Sequence, residues 1–333
     1  MTRLTFLLKA LNEEAHIGAC LKSILCEIEG LEAEIVLVDS LSADRTVDVA
    51  RAYPVKVLQF TSPEDRGCAA AVQLGYQFAG GEFLYVIDGD MTLEPGFLSE
   101  ALAYLEKHPD VAGVGGLLSD NRIRTAADRR RVDAYGGISS DMTVADLGGG
   151  GLYRRSAIES AGYLAHRWLP ACEEAELGVR LRAAGWRLVR LARPAVRHTG
   201  HDETDVQMLR RLWRSGRMAA YGMFLRSAVG TRWWWPTVRR VRLLFVAPLL
   251  HMFAAVAAAL LALSCGYGFA MSLLVAEAAI WVLAFGLMSV RKRSPRDAAV
   301  ALCAWHLYAA AGFLGVMRPL PSPNLRIDFR ELT

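Results

Sequence analysis

The first half of the chain alternates short apolar runs with stretches whose apolar residues recur every three to four positions. Residues 5–9 are a run of strand formers. Asn12 is placed to cap a helix carrying Ile17, Cys20, Leu21, Ile24, Leu25 and Ile28, which Gly30 can end. Residues 34–38 (EIVLV) read as a buried strand, and a short helix from Ser42 through Thr46, Val49 and Ala50 stops at Pro54. Strand 56–60, helix 67–79 and strand 82–87 follow. Pro95 suits the first position of a helix to about Lys107, and 111–114 is another strand. This alternation predicts an α/β fold with a mostly parallel central sheet and helices on both faces. Ligands in such sheets bind beyond the carboxyl ends of the strands. The loops at 10–14, 39–46, 62–67 and 88–92, each polar directly after an apolar run, are where a site is expected.

Residues 119–147 are polar, carry Arg122, Arg124 and Arg129 to Arg131, and show no clean period, so they read as a long loop or lid. A four-glycine run at 148–151 lets the backbone approach a ligand or take positive φ. Residues 173–184 predict a helix ending at Gly185, and 186–191 a strand.

The pattern then changes. Residues 241–263 are apolar or small apart from Arg242 and His251; 267–290 carry one charge, Glu277; 298–317 carry none, only His306. A bilayer core needs about 20 apolar residues per helix, so all three qualify by length, and core helices of a soluble domain are the poorer reading. The chain thus divides into an α/β domain over 1–230 and a membrane region over 231–333 with two to three transmembrane helices. Positive-inside logic puts Arg239, Arg240, Arg242 and the Arg291-Lys292-Arg293 loop in the cytoplasm and the 264–268 link outside. The third segment leaves two readings open. A full crossing places Arg318, Arg326 and Arg330 outside; the other reading is a shallow or re-entrant segment. Residues 218–235 mix Phe224, Leu225 and Trp233 to Trp235 with Arg226 and Arg232, which suits a helix lying in the interface.

Composition narrows the function. Apolar residues are 53% and charged residues 22%, which excludes a disordered chain. The net charge of +4 is too balanced for a phosphate-tracking surface, so no nucleic acid partner is expected. Six scattered cysteines without a C-x-x-C pair indicate neither a zinc site nor a disulfide framework, and fit a reduced compartment. The five residues Leu4 to Leu8 before Lys9 are too short for a secretory leader, so the first domain is expected to stay where it is made.

Asp88-Gly-Asp90 follows the strand at 82–87. A bare D-x-D is most often a polar turn, but at the carboxyl end of an α/β strand two carboxylates can share a hard divalent cation and a substrate phosphate. Glu173, Glu174 and Glu176 open a predicted helix, where acidic residues complement the dipole and where a carboxylate beside a cleft can act as a general base. Asp39 is either a ligand-reading acid or a loop residue. His198 and His201, three apart with Asp202 beside them, are candidate metal ligands or solvated loop residues. No G-x-G-x-x-G follows the first strand, and there is no P-loop and no G-x-S-x-G elbow.

Taken in order, these motifs over about residues 4–230 resemble the family 2 glycosyltransferases, inverting enzymes of the GT-A nucleotide-diphospho-sugar transferase fold. The likeness runs through Asn12-Glu13-Glu14, Val38-Asp39-Ser40 with Asp44 and Thr46, and Arg66-Gly67. It continues through Asp88-Gly-Asp90 at the DXD position, the glycine run before Tyr153-Arg154-Arg155, and Glu173-Glu174-Ala-Glu176-Leu177 at the ED-x-DL position. Arg210-Arg211-Leu-Trp213 looks like a shortened Q-x-x-R-W. The resemblance implies that Glu13 or Glu14, Asp39 and Asp88, with Asn12 and Arg66 of the same motifs, hold a nucleotide-sugar, and that Asp90 serves a Mg2+ or Mn2+ ion; Asp88 and, from its own chemistry, His198 are the further candidate ligands. It also implies that Glu174 is the base and that Arg210, Arg211 and Trp213 close over the diphosphate or acceptor. Two positions depart from the family: Ser40 stands where a second Asp is usual, and Glu174 where Asp is usual, which lengthens the arm by one methylene. At an ordinary pKa of about 4.3 Glu174 would be ionised at neutral pH.

The expectation is therefore a multi-pass inner (plasma) membrane enzyme with a cytoplasmic catalytic domain and a lipid-linked or polysaccharide acceptor among the membrane lipids. Three spans are few for threading a polymer, which favours a lipid-linked acceptor. The rival from another class is a non-catalytic nucleotide-sugar sensor or scaffold, which keeps the donor pocket and has no use for Glu174. A nucleotidyltransferase would need a basic glycine-rich loop near the first strand, whereas residues 10–14 are acidic and lack glycine.

Overall fold

A computed structural model describes residues 2–200 and 202–332, which form two compact units. A sheet unit holds the chain up to Glu203, Gly230–Thr237 and the segment from Pro319 onward; a helical unit holds Thr204–Val229 and Val238–Arg318. The units do not follow a single cut near residue 230. The helices begin earlier, and the end of the chain returns to the sheet.

The sheet unit opens with β1 (Leu4–Ala10), α1 (Ile17–Glu27), β2 (Ala33–Asp39), α2 (Thr46–Ala50), β3 (Lys56–Phe60), α3 (Cys68–Phe78) and β4 (Phe83–Asp88). A short β5 (Met91–Leu93), α4 (Phe97–Lys107), β6 (Val111–Asp120), α5 (Ala126–Gly136) and β7 (Met142–Thr143) follow. Then come β8 (Gly151–Arg154), α6 (Arg155–Ser160), α7 (Glu173–Ala183) and β9 (Arg187–His198); β10 (Phe329–Glu331) closes the chain. The strand order is β10-β3-β2-β1-β4-β8-β6-β9-β5, with β7 beside β9. β3, β2, β1 and β4 are mutually parallel, as are β6 and β9. β8, β5, β7 and β10 run against their neighbours, so the sheet is mostly but not wholly parallel.

The first strands are apolar on both faces because helices cover both. Leu4, Phe6 and Leu8 of β1 share a buried cluster with Ile17, Leu21 and Ile24 of α1, each such side chain contributing about 1.5–3 kcal/mol when buried. On the opposite face α3 comes so close that a Cβ on Gly75 would lie 3.2 Å from Leu7.

Several boundaries differ from the pattern reading, each for a local reason. Asn12 does not cap α1; it takes positive φ (56°), its side chain accepts a bond from the Ala43 amide, and the helix starts at Ile17. α2 starts at Thr46, not Ser42. Pro95 precedes a left-handed Gly96 (φ 80°), and α4 begins at Phe97. β6 continues past Gly115-Gly116 because β9 and α4 press on it there: a Cβ on Gly116 would strike Ala195 and Phe97. β9 likewise runs through Pro194, at a register irregularity opposite Leu117, where a strand tolerates proline. The segment 119–147 is not all loop. It contains α5, opened by a Thr125/Asp128 capping box and highly charged, with only Ala126 buried and Tyr135 packed on the core, which is why no period shows.

The helical unit contains α8 (Asp205–Arg214) and α9 (Ala220–Ser227), then the end of α10 (Trp234–Arg240), α11 (Leu243–Cys265), α12 (Phe269–Lys292) and α13 (Pro295–Met317). Segment 218–235 is not one interfacial helix; Gly230 (φ 75°) separates α9 from α10. α11, α12 and α13 are each long and apolar enough to cross a membrane. Ala254 and Ala258 of α11 pack on Ala276 of α12, with Leu273 and Ile280 alongside. His251 lies 3.0 Å from the Glu277 carboxylate, and its Nε2 lies 3.3 Å from His306 Nε2, so each apolar helix brings one polar group to a common point.

Candidate active site

Parallel pairing places Ala10 beside Asp39 and Lys9 beside Asp88, so the carboxyl ends of β2, β1 and β4 fall on one line. Paired residues on neighbouring strands point to the same face, and Lys9 Nζ meets Asp88 Oδ1 at 3.1 Å. The same ammonium donates to Glu173 Oε1 at 2.6 Å and lies 3.7 Å from Glu174 Oε1. One lysine thus ties the D-x-D turn to the first turn of α7, 164 residues away. Burial works against the charged lysine, but Asp88, Glu173 and Glu174 outweigh it and hold its pKa well above the usual value.

Glu174 is pushed up to about 7, first by burial and then by the Glu173 charge, with Lys9 opposing. It is therefore not the fully ionised carboxylate expected from its ordinary pKa. It sits between its two states near neutrality, where a general base works best. Val86, Gly148, Tyr153 and Leu164 line an apolar cleft beside Glu173 and Glu174. Burial also raises Asp88, with Lys9 opposing.

Asp90 follows Gly89, whose Cβ would press on Ile17, Ala10 and Glu13. Its carboxylate meets His198 Nε2 at 3.1 Å, and His198 Nδ1 meets Asp120 Oδ1 at 2.7 Å. His198 is thus the last residue of β9 and not a loop residue. Burial disfavours its charged form, yet the bonds to Asp90 and Asp120 raise it to about 9. Asp120 also accepts from Arg131 at 2.6 Å, which anchors α5 to this corner.

Among the described residues no three His, Cys, Asp or Glu side chains form a ready metal cage. A Mg2+ or Mn2+ ion carried by a diphosphate needs only one or two protein carboxylates, phosphate oxygens and water completing its shell. Asp88 and Asp90 are hard oxygen donors one residue apart, and each already faces a cation, Lys9 or His198. That donor set fits such an ion.

At the end of β2, Asp39 is fully buried. Its Oδ2 accepts from the Ser42 amide (3.0 Å) and Gln59 Nε2 (2.7 Å), whereas Oδ1 is buried with no partner. An unsatisfied buried carboxylate oxygen is costly. The loops after β1 and β2 are laced together: Asn12 N–H donates to Ser42 Oγ, Glu13 N–H to Thr46 Oγ1 and Glu14 N–H to Asp44 Oδ2, while Glu14 accepts from the Arg45 amide. Asn12 and Glu14 therefore brace the loop. Glu13 instead faces the D-x-D side; burial raises its pKa, His16 opposes, and Asp90 adds to the rise. Asn12, Leu41 and Cys172, three of the four described non-glycine residues at positive φ, flank this region. Such strain is found where structure serves a site.

Arg66 lies exposed in the loop before α3. Its neighbour Asp65 pairs with Arg167, which also donates to the Leu325 and Arg326 carbonyls. Arg210, Arg211 and Trp213 lie on α8 of the helical unit, and the sheet-unit cluster is built without them. His201 lies outside the described residues. Asp202 is exposed and pairs with Arg124. Glu176 has a structural task, gripped by Arg180 (2.7 and 2.8 Å) and by Tyr163 Oη (2.6 Å).

Sequence reasoning missed Lys9, Asp120 and Arg180. Only Lys9 left a signal, a charge inside an apolar run at a strand's carboxyl end.

The profile described as Glycosyl transferase family 2 matches residues 5–158. An uncharacterized glycosyltransferase of Mycobacterium bovis is 30% identical over 203 residues, covering 56% of this chain and 82% of that protein. A dolichol-phosphate mannosyltransferase of Pyrococcus furiosus is 29% identical over 114 residues, 33% of this chain and 32% of that one, so the chain matches about a third of that relative's length. Among solved structures, the mannosyltransferase PcManGT of Pyrobaculum calidifontis, in complex with GDP-Man and Mn2+, superposes with a TM-score of 0.58 at 19% identity, over 95% of this chain and 87% of that one. That likeness speaks for the GT-A-type fold. With the ordered motifs on this sheet and a relative matched over most of its length, the chain belongs to glycosyltransferase family 2.

Proposed function

We propose that the protein is a membrane-bound inverting glycosyltransferase, moving a sugar from a nucleoside-diphosphate donor to a lipid-linked or polysaccharide hydroxyl at the bilayer. The catalytic unit is assigned to the cytoplasmic side of the inner (plasma) membrane, from the arginines before α11 and after α12. The observation that carries the reading is Lys9, which holds Asp88 of the D-x-D turn and the Glu173–Glu174 pair within one side chain's reach.

Each residue then has a task. Asp39 Oδ1 accepts a hydrogen bond from the nucleoside. A Mg2+ or Mn2+ ion, when bound, would be held by Asp88 and Asp90 with His198 adjacent, and supplies positive charge for the diphosphate. Glu174 takes the proton of the acceptor hydroxyl. That oxygen bonds to the anomeric carbon as the bond from this carbon to the diphosphate oxygen breaks, and the configuration inverts. Mannosyl transfer from GDP-Man, the donor bound in the Pyrobaculum structure, is the first donor to try.

The test is a screen of nucleotide-sugars for release of nucleoside diphosphate, with membrane lipid extract as acceptor. Turnover is expected with one donor class and is expected to stop on exhaustive chelation; release unaffected by chelation removes the metal. A second expectation concerns the donor pocket. Asp39→Asn keeps the bond to the Ser42 amide but loses the charge, and nucleoside diphosphate affinity should fall by about tenfold or more, the usual worth of a hydrogen bond to a charged group. Calorimetric titration reads this directly, and unchanged affinity would reassign Asp39 to loop support.

A further inference from the structure

Three apolar helices suggest three crossings, yet the path of the chain forbids an odd number. Val238–Arg318 is bracketed by Gly230–Thr237 and by the segment from Pro319, both parts of the sheet unit. After α13 the chain pairs Phe329, Arg330 and Glu331 of β10 with Phe60, Gln59 and Leu58 of β3. The Trp168 indole also donates to the Ser322 carbonyl. Such bonds cannot form through hydrocarbon, where an open sheet edge finds no partners. The chain therefore leaves for α11 and returns from α13 on one side of the bilayer.

Packing within the helical unit identifies the helix that does not cross. α11 and α12 form an antiparallel hairpin through Ala254, Ala258 and Ala276, turned at Gly266 (φ 71°). In an up-down-up bundle α13 would run parallel to α11, and its last third would meet the last third of α11. It does the opposite. His306 in mid-α13 meets His251, and Gly312 near its end lies against Leu244, the second residue of α11. α13 thus heads back towards the level where α11 begins. There α9 approaches it backbone to backbone, and a Cβ on Gly222, Gly312 or Gly315 would strike its neighbour. Arg226 of α9 donates to the Val316 and Arg318 carbonyls at 2.9 and 2.7 Å. A guanidinium fixed on the last carbonyls of α13 belongs at the headgroup level. Phe313, Leu314 and Met317 remain 70%, 53% and 68% exposed, an apolar face uncovered by protein.

We infer that α11 and α12 cross the bilayer as one hairpin, and that α13 is a monotopic helix. It is sunk in the leaflet from which α11 enters, with both its ends on that side and the Phe313–Leu314–Met317 face against acyl chains.

The test uses the full-length protein in sealed inverted and right-side-out vesicles, with a membrane-impermeant maleimide read peptide by peptide by mass spectrometry. Cys26, exposed on α1, reports the sheet unit, and Cys265 reports the hairpin turn. Arg296→Cys marks the start of α13, and Asn324→Cys, with Ser322→Cys as a second reporter, marks the chain beyond it. The expected result is labelling of 26, 296 and 324 from one face and of Cys265 from the other. Labelling of 322 and 324 from the Cys265 face overturns the inference in favour of three crossings. Labelling of Cys265 from the Cys26 face overturns it by removing the hairpin crossing. Labelling reads topology alone, so it stands or falls separately from transfer activity.

Discussion

Glu174→Gln is expected to cut sugar transfer by about 10²–10⁴-fold, the usual worth of a general base, while donor affinity changes little. Glutamine keeps the shape and the hydrogen bonding but cannot take the proton. The wild-type rate should rise with pH along a limb centred near 7, because the base must be deprotonated and burial with the Glu173 charge holds it there. Glu173→Gln removes that neighbouring charge, so the limb should move to lower pH. A helix-dipole role alone predicts a few tenths of a kcal/mol of stability and no change in rate or pH profile. Glu174→Asp restores the family's usual residue on a shorter arm, and partial activity is expected. Near-wild-type transfer by Glu174→Gln would remove the assignment and move the base to Glu173; wild-type protein that binds donor without turnover would restore the sensor reading. Glu176 is not an alternative, held as it is by Arg180 and Tyr163.

Lys9→Met is expected to destabilise the sheet unit strongly. It leaves Asp88, Glu173 and Glu174 facing one another without the cation they share. Removing one partner of a buried ion pair costs about 3–5 kcal/mol; the lower end applies here, because the Asp88 side chain retains 35% exposure. The loss should shrink as pH falls, since protonating the carboxylates relieves their repulsion. Thermal unfolding of the detergent-solubilised protein at two pH values measures both effects. A variant as stable as wild type at neutral pH would show that solvent already screens the cluster. Lys9→Arg keeps the charge but not the compact head group, and should recover stability better than activity.

The parallel strands were legible because a strand covered on both faces is an unbroken apolar run, as in 34–38 and 82–87. What escaped has no such run. α5 is highly charged, and is announced only by its capping box at Thr125 and Asp128. The pattern shows β9 only over 186–191, its continuation to His198 hidden behind Arg193-Pro194, and β10 has three residues whose strand character comes from β3. The site divides in the same way. The order of the carboxylate motifs pointed to Asp39, Asp88, Asp90 and Glu174, but no local pattern joins Lys9 to a helix 164 residues later. That Asn12 and Glu14 brace a loop, and that Glu174 titrates near neutrality, are products of packing and burial.

The pairing of β10 with β3 also sets a timetable. β3 is finished early in synthesis, but its outer edge has no partner until β10 is made, after all three apolar helices. An unpaired edge invites pairing with another chain, so the interval of membrane insertion is when the nascent protein is most open to misassembly. The same strand reaches Asp39 through one side chain. Arg330 bonds Gln59 Oε1 at 2.8 Å, and the amide of the same Gln59 holds Asp39. A chain stalled or clipped before Phe329 would therefore lack the bond that steadies Gln59 against Asp39, so the Asp39 carboxylate takes its final setting only once β10 has paired with β3.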